Sequence, residues 1–263
     1  MSGLAVSRNG GVLRVDLDRP ARKNALDSAA VGALIDVLRA AATDDDLRVV
    51  VLGSTGPDFC SGADWVSTNR GDRPRPRTGA VQRRTAVEAH RLVQLVTEVQ
   101  LPVVCEVRGY AAGLGCQLAL AADFTIATDD SCFWEPFVQR GFSADSGATW
   151  LLPRLAGVAR AKEMLLLGRK VSGAEAADWG LVHRAVPAAE LEPATASVVD
   201  QLAAGPTVAV GLTKRAIHRG LSLGLADAME YEATALELSS RTADFKEGLA
   251  AFTQRRSPRF TGR

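Results

Sequence analysis

The chain opens on two short alternations of apolar and polar positions, Leu4–Arg8 and Val12–Leu17, on either side of Asn9-Gly10-Gly11. A period of two fits strands with one buried face, and the Asn-Gly pair is a hairpin signal. After a break at Asp18-Arg19-Pro20 the period changes. Val31, Leu34, Ile35 and Leu38 recur at helical spacing behind Asp27, which predicts a helix from Ser28 to Ala42 with Asp27 as its N-cap. Arg48–Leu52 and Pro102–Val107 are continuous apolar runs, as expected of strands covered on both faces. Between them a stripe of Val87, Leu92, Leu95 and Val96 predicts a helix over Val81–Val99.

The same alternation of element types continues. Gly109–Gly115 reads as a glycine-rich turn, Leu114–Ala122 as a short apolar helix and Phe124–Ala127 as a strand. Asp145–Leu152 reads as a helix start, Val158–Leu167 as a helix and Leu181–Val186 as a last strand. From Ala188 onward the pattern is almost wholly helical, with a long amphipathic run over Leu225–Arg241. The recurring unit is strand, strand, helix, which predicts an α/β fold. Residues 1–190 are expected to form the α/β core and residues 191–263 a helical region.

Composition narrows the classes. The chain has 263 residues, 31 Lys plus Arg against 30 Asp plus Glu, and a net charge of +1, which argues against a protein that binds nucleic acid through its whole surface. Four cysteines without a Cys-x-x-Cys and three scattered histidines predict neither a structural metal site nor a disulfide-stapled fold. Met1–Asn9 lacks a signal pattern, and no apolar run approaches the ~18 residues that span a bilayer, so the expectation is a soluble cytoplasmic protein. The charge is nevertheless uneven: six arginines lie within Arg70–Arg84 and four within Arg255–Arg263.

Two turns carry candidate chemistry. Phe59-Cys60-Ser61-Gly62-Ala63-Asp64-Trp65 follows the strand ending at Leu52, and Gly113-Leu114-Gly115-Cys116-Gln117 follows the strand ending at Val107. Small residues let a ligand approach the backbone, and a turn that opens a helix presents unbonded N–H groups. Two such turns face to face hold an oxyanion; taken singly, each is also an ordinary loop-to-helix turn. Neither matches a dinucleotide fingerprint or a P-loop.

These segments, together with Arg19-Pro20, Asn24-Ala25-Leu26, Gly109-Tyr110-Ala111-Ala112 and Phe245–Phe252, resemble the crotonase (enoyl-CoA hydratase/isomerase) superfamily. The resemblance covers nearly the whole chain, with the motifs in order. It implies a crotonase-like spiral of ββα units with a C-terminal helical trimerisation region, assembled as a homotrimer or dimer of trimers. It implies an acyl-CoA thioester as substrate, with coenzyme A as part of that substrate and no separate cofactor. It also implies that the N–H groups of Ala63 and Leu114 hold the thioester oxygen. One such donor contributes about 3–4 kcal/mol when negative charge develops there.

The acid/base residues decide the reaction. Hydratases of the family carry two glutamates; at those positions this sequence has Gln117 and Phe137. Gly141–Leu155 is instead similar to the ring-opening epoxide isomerases of phenylacetyl-CoA breakdown, and to enoyl-CoA and dienoyl-CoA isomerases, which place an acid where Asp145 stands. Ala144 and Ala148 depart from the usual Pro and Gly around that acid. Asp145 is the candidate proton carrier, although an Asp at this point also fits a helix cap. Glu135 is a second acid nearby, on one face with Phe133 and Phe137 if its strand alternates regularly.

For substrate binding, the resemblance points to Arg22 and Lys23 for the nucleotide portion and to Ser61 and Asp64 at the first turn. Trp65, Phe137 and Trp150 are candidates for the acyl pocket, and Arg255 for a phosphate of a neighbouring subunit's ligand. Cys60 and Cys116 are expected to pack rather than react. Three functions stay open: an acyl-CoA isomerase, an enoyl-CoA hydratase in which Glu135 or Asp145 substitutes, and a catalytically silent acyl-CoA binder.

Overall fold

A computed structural model describes residues 3–64 and 77–263. Strands β1 (Leu4–Asn9) and β2 (Val12–Leu17) form the expected hairpin, with Gly10 in the left-handed region at its tip. Strands β3 (Val49–Ser54), β4 (Val103–Val107), β6 (Phe124–Thr128) and β9 (Arg184–Val186) extend it in parallel to a six-stranded sheet of order β1-β2-β3-β4-β6-β9. A second, three-stranded sheet pairs β5 (Tyr110–Ala112), β7 (Cys132–Trp134) and β8 (Lys170–Ser172). Its strands are three residues each, below the length at which alternation is legible, and so the sequence pattern showed only a glycine turn at 109–115.

Helix α1 (Ser28–Ala41) is capped as expected: the Asp27 carboxylate accepts from the Ala30 N–H at 2.9 Å. The helix expected over 81–99 is two helices, α2 (Ala80–Val87) and α3 (Ala89–Glu98), broken at Glu88 where the backbone leaves helical geometry (φ −104°, ψ −93°). The stripe explains the difference. Leu92, Leu95 and Val96 of α3 are buried, whereas α2 buries nothing and Val87 is exposed. Helix α4 (Leu114–Ala121) is buried throughout. Helix α5 (Ala148–Leu167) breaks at Gly157 (φ 80°), which separates the two helical segments read from the sequence. The strand expected over 181–186 pairs only from Arg184, with Leu181 and Val182 packed into the core instead.

Helix α6 (Gly173–Asp178) precedes β9, and α7 (Leu191–Ala203) covers the other face of the large sheet through Val199 on Val49, Val51 and Val104. Helices α8 (Thr207–Gly220), α9 (Leu225–Ser239) and α10 (Ala243–Gln254) follow. Lys214 pins α8, its buried ammonium donating to the carbonyls of Val96 and Leu101 and pairing with Asp123 at 2.7 Å. Helix α9 buries no residue, and Leu225, Met229, Leu236 and Leu238 are exposed along it. No helix among the described residues is long and apolar enough to cross a membrane.

The ββα units bring the two glycine turns together. Cys60 N–H donates to Tyr110 O at 2.8 Å and Ala112 N–H to Cys60 O at 2.9 Å, a parallel bridge outside the main sheets. This closeness dictates Gly115: a Cβ there would lie 2.5 Å from Cys60 O and 2.6 Å from Cys60 Cβ. In an open helix, Gly→Ala stabilises by about 1 kcal/mol. Gly115→Ala is expected to do the reverse and destabilise by about 2 kcal/mol or more through overpacking. A urea midpoint equal to or above the wild-type value would contradict the close junction.

Candidate active site

The first turn is held from both sides. Leu26 N–H donates to Gly62 O and Asp64 N–H to Leu26 O, each at 2.8 Å, while Ser61 N–H donates to Lys23 O at 2.9 Å. Asn24 fixes the facing loop. It is buried in the left-handed region, its amide donating to Thr55 O and Asp58 O and its oxygen accepting from Arg19 N–H. Gly62 has φ 95°, and a Cβ on it would come within 2.7 Å of Ala112 O and 3.6 Å of Leu114 N, which fixes how near the two turns lie. Among the described residues, neither the Ala63 nor the Leu114 amide donates a hydrogen bond outside regular helices and strands. Leu114 is the first residue of α4, so its N–H has no carbonyl four residues back within that helix. Two unbonded amides at adjoining turns are the arrangement that polarises a carbonyl oxygen.

Both amides border one cleft, together with Leu26, Val31, Phe137, Phe142 and Asp145. Phe137 and Phe142 pack edge to face, ring centroids 5.7 Å apart at 78°. Ser61, Asp64, Arg84, Glu88 and Arg140 also line it. Arg84 belongs to the arginine-rich stretch noted in the sequence, whereas no sequence pattern marks Phe142, Glu88 or Arg140. Their approach depends on how the chain folds back, and no local pattern marks it.

Among the described residues four acids line the cleft, and three are engaged. Asp27 caps α1 and pairs with Arg19; Asp64 pairs with Arg19 and Arg22; Glu88 accepts from Ser28 Oγ. Asp145 is the fourth. It does not cap α5, whose N-cap is Gly147 without any side-chain bond. Ser146 at φ 52° and Gly147 at φ 90° turn the chain between Asp145 and the helix, and only the Asp145 carbonyl accepts, from Ala148 N–H. The capping explanation for this residue therefore fails, and its half-buried carboxylate faces the cleft.

Other expected site residues are placed differently. Trp150 does not line this cleft. One turn into α5, it points to an apolar groove between α5 and α8 and stacks under Arg154 at 4.2 Å. Trp65 and residues 70–76 of the Arg70–Arg84 cluster, with three of its six arginines, lie outside the described residues. Arg22 and Lys23 are exposed beside the first turn, Lys23 at 3.7 Å from Asp58 and 4.6 Å from the Tyr110 ring centroid. Arg255 ends α10 and is not among the residues lining the cleft of its own chain. Cys60 and Cys116 are buried, and burial pushes the Cys60 thiol up to about 12 and that of Cys116 well above the ordinary range, so both pack as inert groups.

Glu135 is wholly buried, and Gln117 Nε2 donates to its Oε1. Burial pushes the Glu135 carboxyl up to about 8; bonds from Cys116 and Gln117 act against this, and the charge of Asp145 adds to it.

Among the described residues, two amides without hydrogen-bond partners and a carboxylate without an ion-pair partner therefore border one cleft. The enoyl-CoA hydratase/isomerase family model matches residues 7–263, and the chain belongs to that family. It is 35% identical over 254 residues to a 1,2-epoxyphenylacetyl-CoA isomerase of Escherichia coli, covering 96% of each chain. It is 38% identical over 253 residues to a probable enoyl-CoA hydratase of Rhodobacter capsulatus, covering 96% of this chain and 95% of the other. Among solved structures, an enoyl-CoA hydratase from Bacillus anthracis superposes with a TM-score of 0.91 at 30% identity, over 99% of this chain and 100% of that one. The expected crotonase fold is thereby established.

The buried Glu135 has a consequence for stability. The fold retains its proton in a range where an unfolded glutamate, with its ordinary value of 4.5, has lost it. Its contribution is full below about pH 4.5 and is lost as the pH rises through about 8. Between pH 5 and pH 8.5 the wild-type melting temperature is expected to fall more than that of Glu135→Gln, the gap corresponding to on the order of a few kcal/mol. Parallel melting curves across that range would contradict a neutral, buried Glu135.

Proposed function

We propose that this protein is an acyl-CoA isomerase that shifts a double bond, or opens a strained ring, through an enolate held by the Ala63 and Leu114 N–H groups. Asp145 carries the reading: among the described residues it is the cleft acid whose side chain no cap, ion pair or hydrogen bond engages. The Asp145 carboxylate takes the proton from the carbon next to the thioester. The electron pair moves onto the thioester oxygen, and the two N–H groups stabilise it there without reorganising. The same carboxyl then returns the proton two carbons away, and the electron pair flows back to leave a conjugated thioester. One carboxylate closes this cycle with no net proton uptake.

Phe137 and Phe142 are proposed to give the acyl group an apolar, aromatic wall. Hydration needs a group to activate water beside the one that delivers the proton. The resemblance assigns those tasks to positions that here are Gln117 and Phe137, and Phe137 fills its part of the cleft with an apolar ring. Arg22 and Lys23 are proposed to meet the nucleotide end of coenzyme A, with Arg255 contributed from a neighbouring copy. The exposed apolar face of α9 supports a role for residues 191–263 in forming a trimer or dimer of trimers. Four free thiols support a reducing compartment such as the cytoplasm.

Asp145→Asn is expected to lower kcat for 3-enoyl-CoA isomerisation about a hundredfold or more while KM changes little, measured by conjugated-thioester absorbance and product mass. Unchanged turnover sinks the assignment, and rapid hydration of trans-2-enoyl-CoA by the wild type favours a hydratase. Light scattering is expected to give the mass of three or six chains; a monomer would overturn the assembly.

A further inference from the structure

Strand β7 ends against the helix that supplies one of the two oxyanion donors. Gly113, which precedes that helix, has φ 51° and ψ −123°, and its N–H donates to Trp134 O at 2.9 Å. The next residue along β7's exit is Glu135, which accepts from Gln117 Nε2 in the first turns of α4. The Cys116 side chain bonds it as well. Consecutive residues 134 and 135 therefore grip α4 once through the main chain and again through a side chain. The two residues that follow, Pro136 and Phe137, line the cleft. Any shift of this segment moves the Leu114 amide and the acyl wall together.

The chemistry of the grip is unusual. No cation among the described residues pairs with Glu135, and both its Oε2 and Gln117 Oε1 are buried without a hydrogen-bond partner. The titratable groups that bear on it are Cys116 on α4 and Asp145 from the loop before α5, with Cys132 on β7 acting on Cys116. None of these supplies positive charge. An ionised carboxylate here would be a desolvated charge beside the turn where the enolate's own charge must be held.

We propose that Glu135 is a positioning residue of this site: as a neutral buried acid bonded to Gln117, it sets the Leu114 N–H against the cleft and keeps a second negative charge out of its wall. The proposal rests on the oxyanion reading of Ala63 and Leu114. It assigns Glu135 no direct contact with substrate, and Asp145 remains the proton carrier. Gln117 thereby has a task of its own in this chain, as the donor that anchors a carboxyl rather than as a vacant catalytic position.

The test uses a readout that needs no turnover. A saturated acyl-CoA carrying ¹³C at the thioester carbonyl is bound to the full-length protein, and the carbonyl stretch is measured by infrared difference spectroscopy at about pH 6.5 and about pH 9. In the wild type the stretch is expected to shift to lower frequency at the lower pH, and less at the higher. Glu135→Gln, which keeps the shape and removes the ionisation, is expected to hold the shift at both. Glu135→Leu is expected to lose about half of it or more at both, with affinity for the acyl-CoA changed far less. A full shift in Glu135→Leu overturns the positioning role. An equal fall at high pH in the wild type and Glu135→Gln overturns the charge argument, and this comparison decides even if Glu135→Leu does not fold. A wild type with no shift at either pH overturns the oxyanion reading itself, and the proposal with it.

Discussion

The structure depends on the close main-chain contact between residues 60–63 and 111–115. Two hydrogen bonds join Cys60 to Tyr110 and Ala112, and the approach is so tight that a methyl group at Gly62 or Gly115 would collide with backbone oxygen. The contact is made by the main chain, and it brings the turns that carry Ala63 and Leu114 to one cleft. The rest of the fold serves it. Parallel strands β3 and β4 deliver the two turns to the same end of the sheet, and Asn24 and Leu26 press the first turn from behind. An amide held this way is pre-aimed, and a pre-aimed dipole stabilises charge without reorganising when the charge appears.

Around that fixed point the carboxyl groups divide by environment. Asp27 and Asp64 are engaged in holding loops, Glu135 is buried and neutral, and Asp145 stands at the cleft behind a two-residue turn in left-handed geometry. The turn at Ser146 and Gly147 matters because it separates the acid from the helix that would otherwise take it as a cap. A backbone conformation that costs energy at Ser146 leaves the Asp145 side chain without a partner among the described residues. The chemistry thus follows from where each acid's hydrogen bonds go rather than from how many acids the chain has.

Much of this was legible in the residues. The β1–β2 hairpin, α1 with its Asp27 cap, the buried runs of β3 and β4, and the short apolar α4 all appear in the structure close to where their periodicity put them. The departures have a common cause. Strands β5, β7 and β8 are too short to show a period, and the break at Glu88 divides an amphipathic stripe whose exposed first half looked continuous with its buried second half. Trp150 was misplaced for a related reason: an aromatic residue near a site in sequence rotates away from it within one helical turn.

By itself the sequence determined the elements, the two glycine turns and the identity of the residues able to carry a proton, since period, glycine placement and side-chain chemistry are local properties. Only the tertiary structure decided which of those residues meet. Whether Asp145 caps a helix or faces a cleft, whether Glu135 is exposed or buried, and what the Gln117 side chain bonds were decided by how the chain folds. Burial and hydrogen-bond partners are set by the packing of distant segments, and no local pattern encodes them.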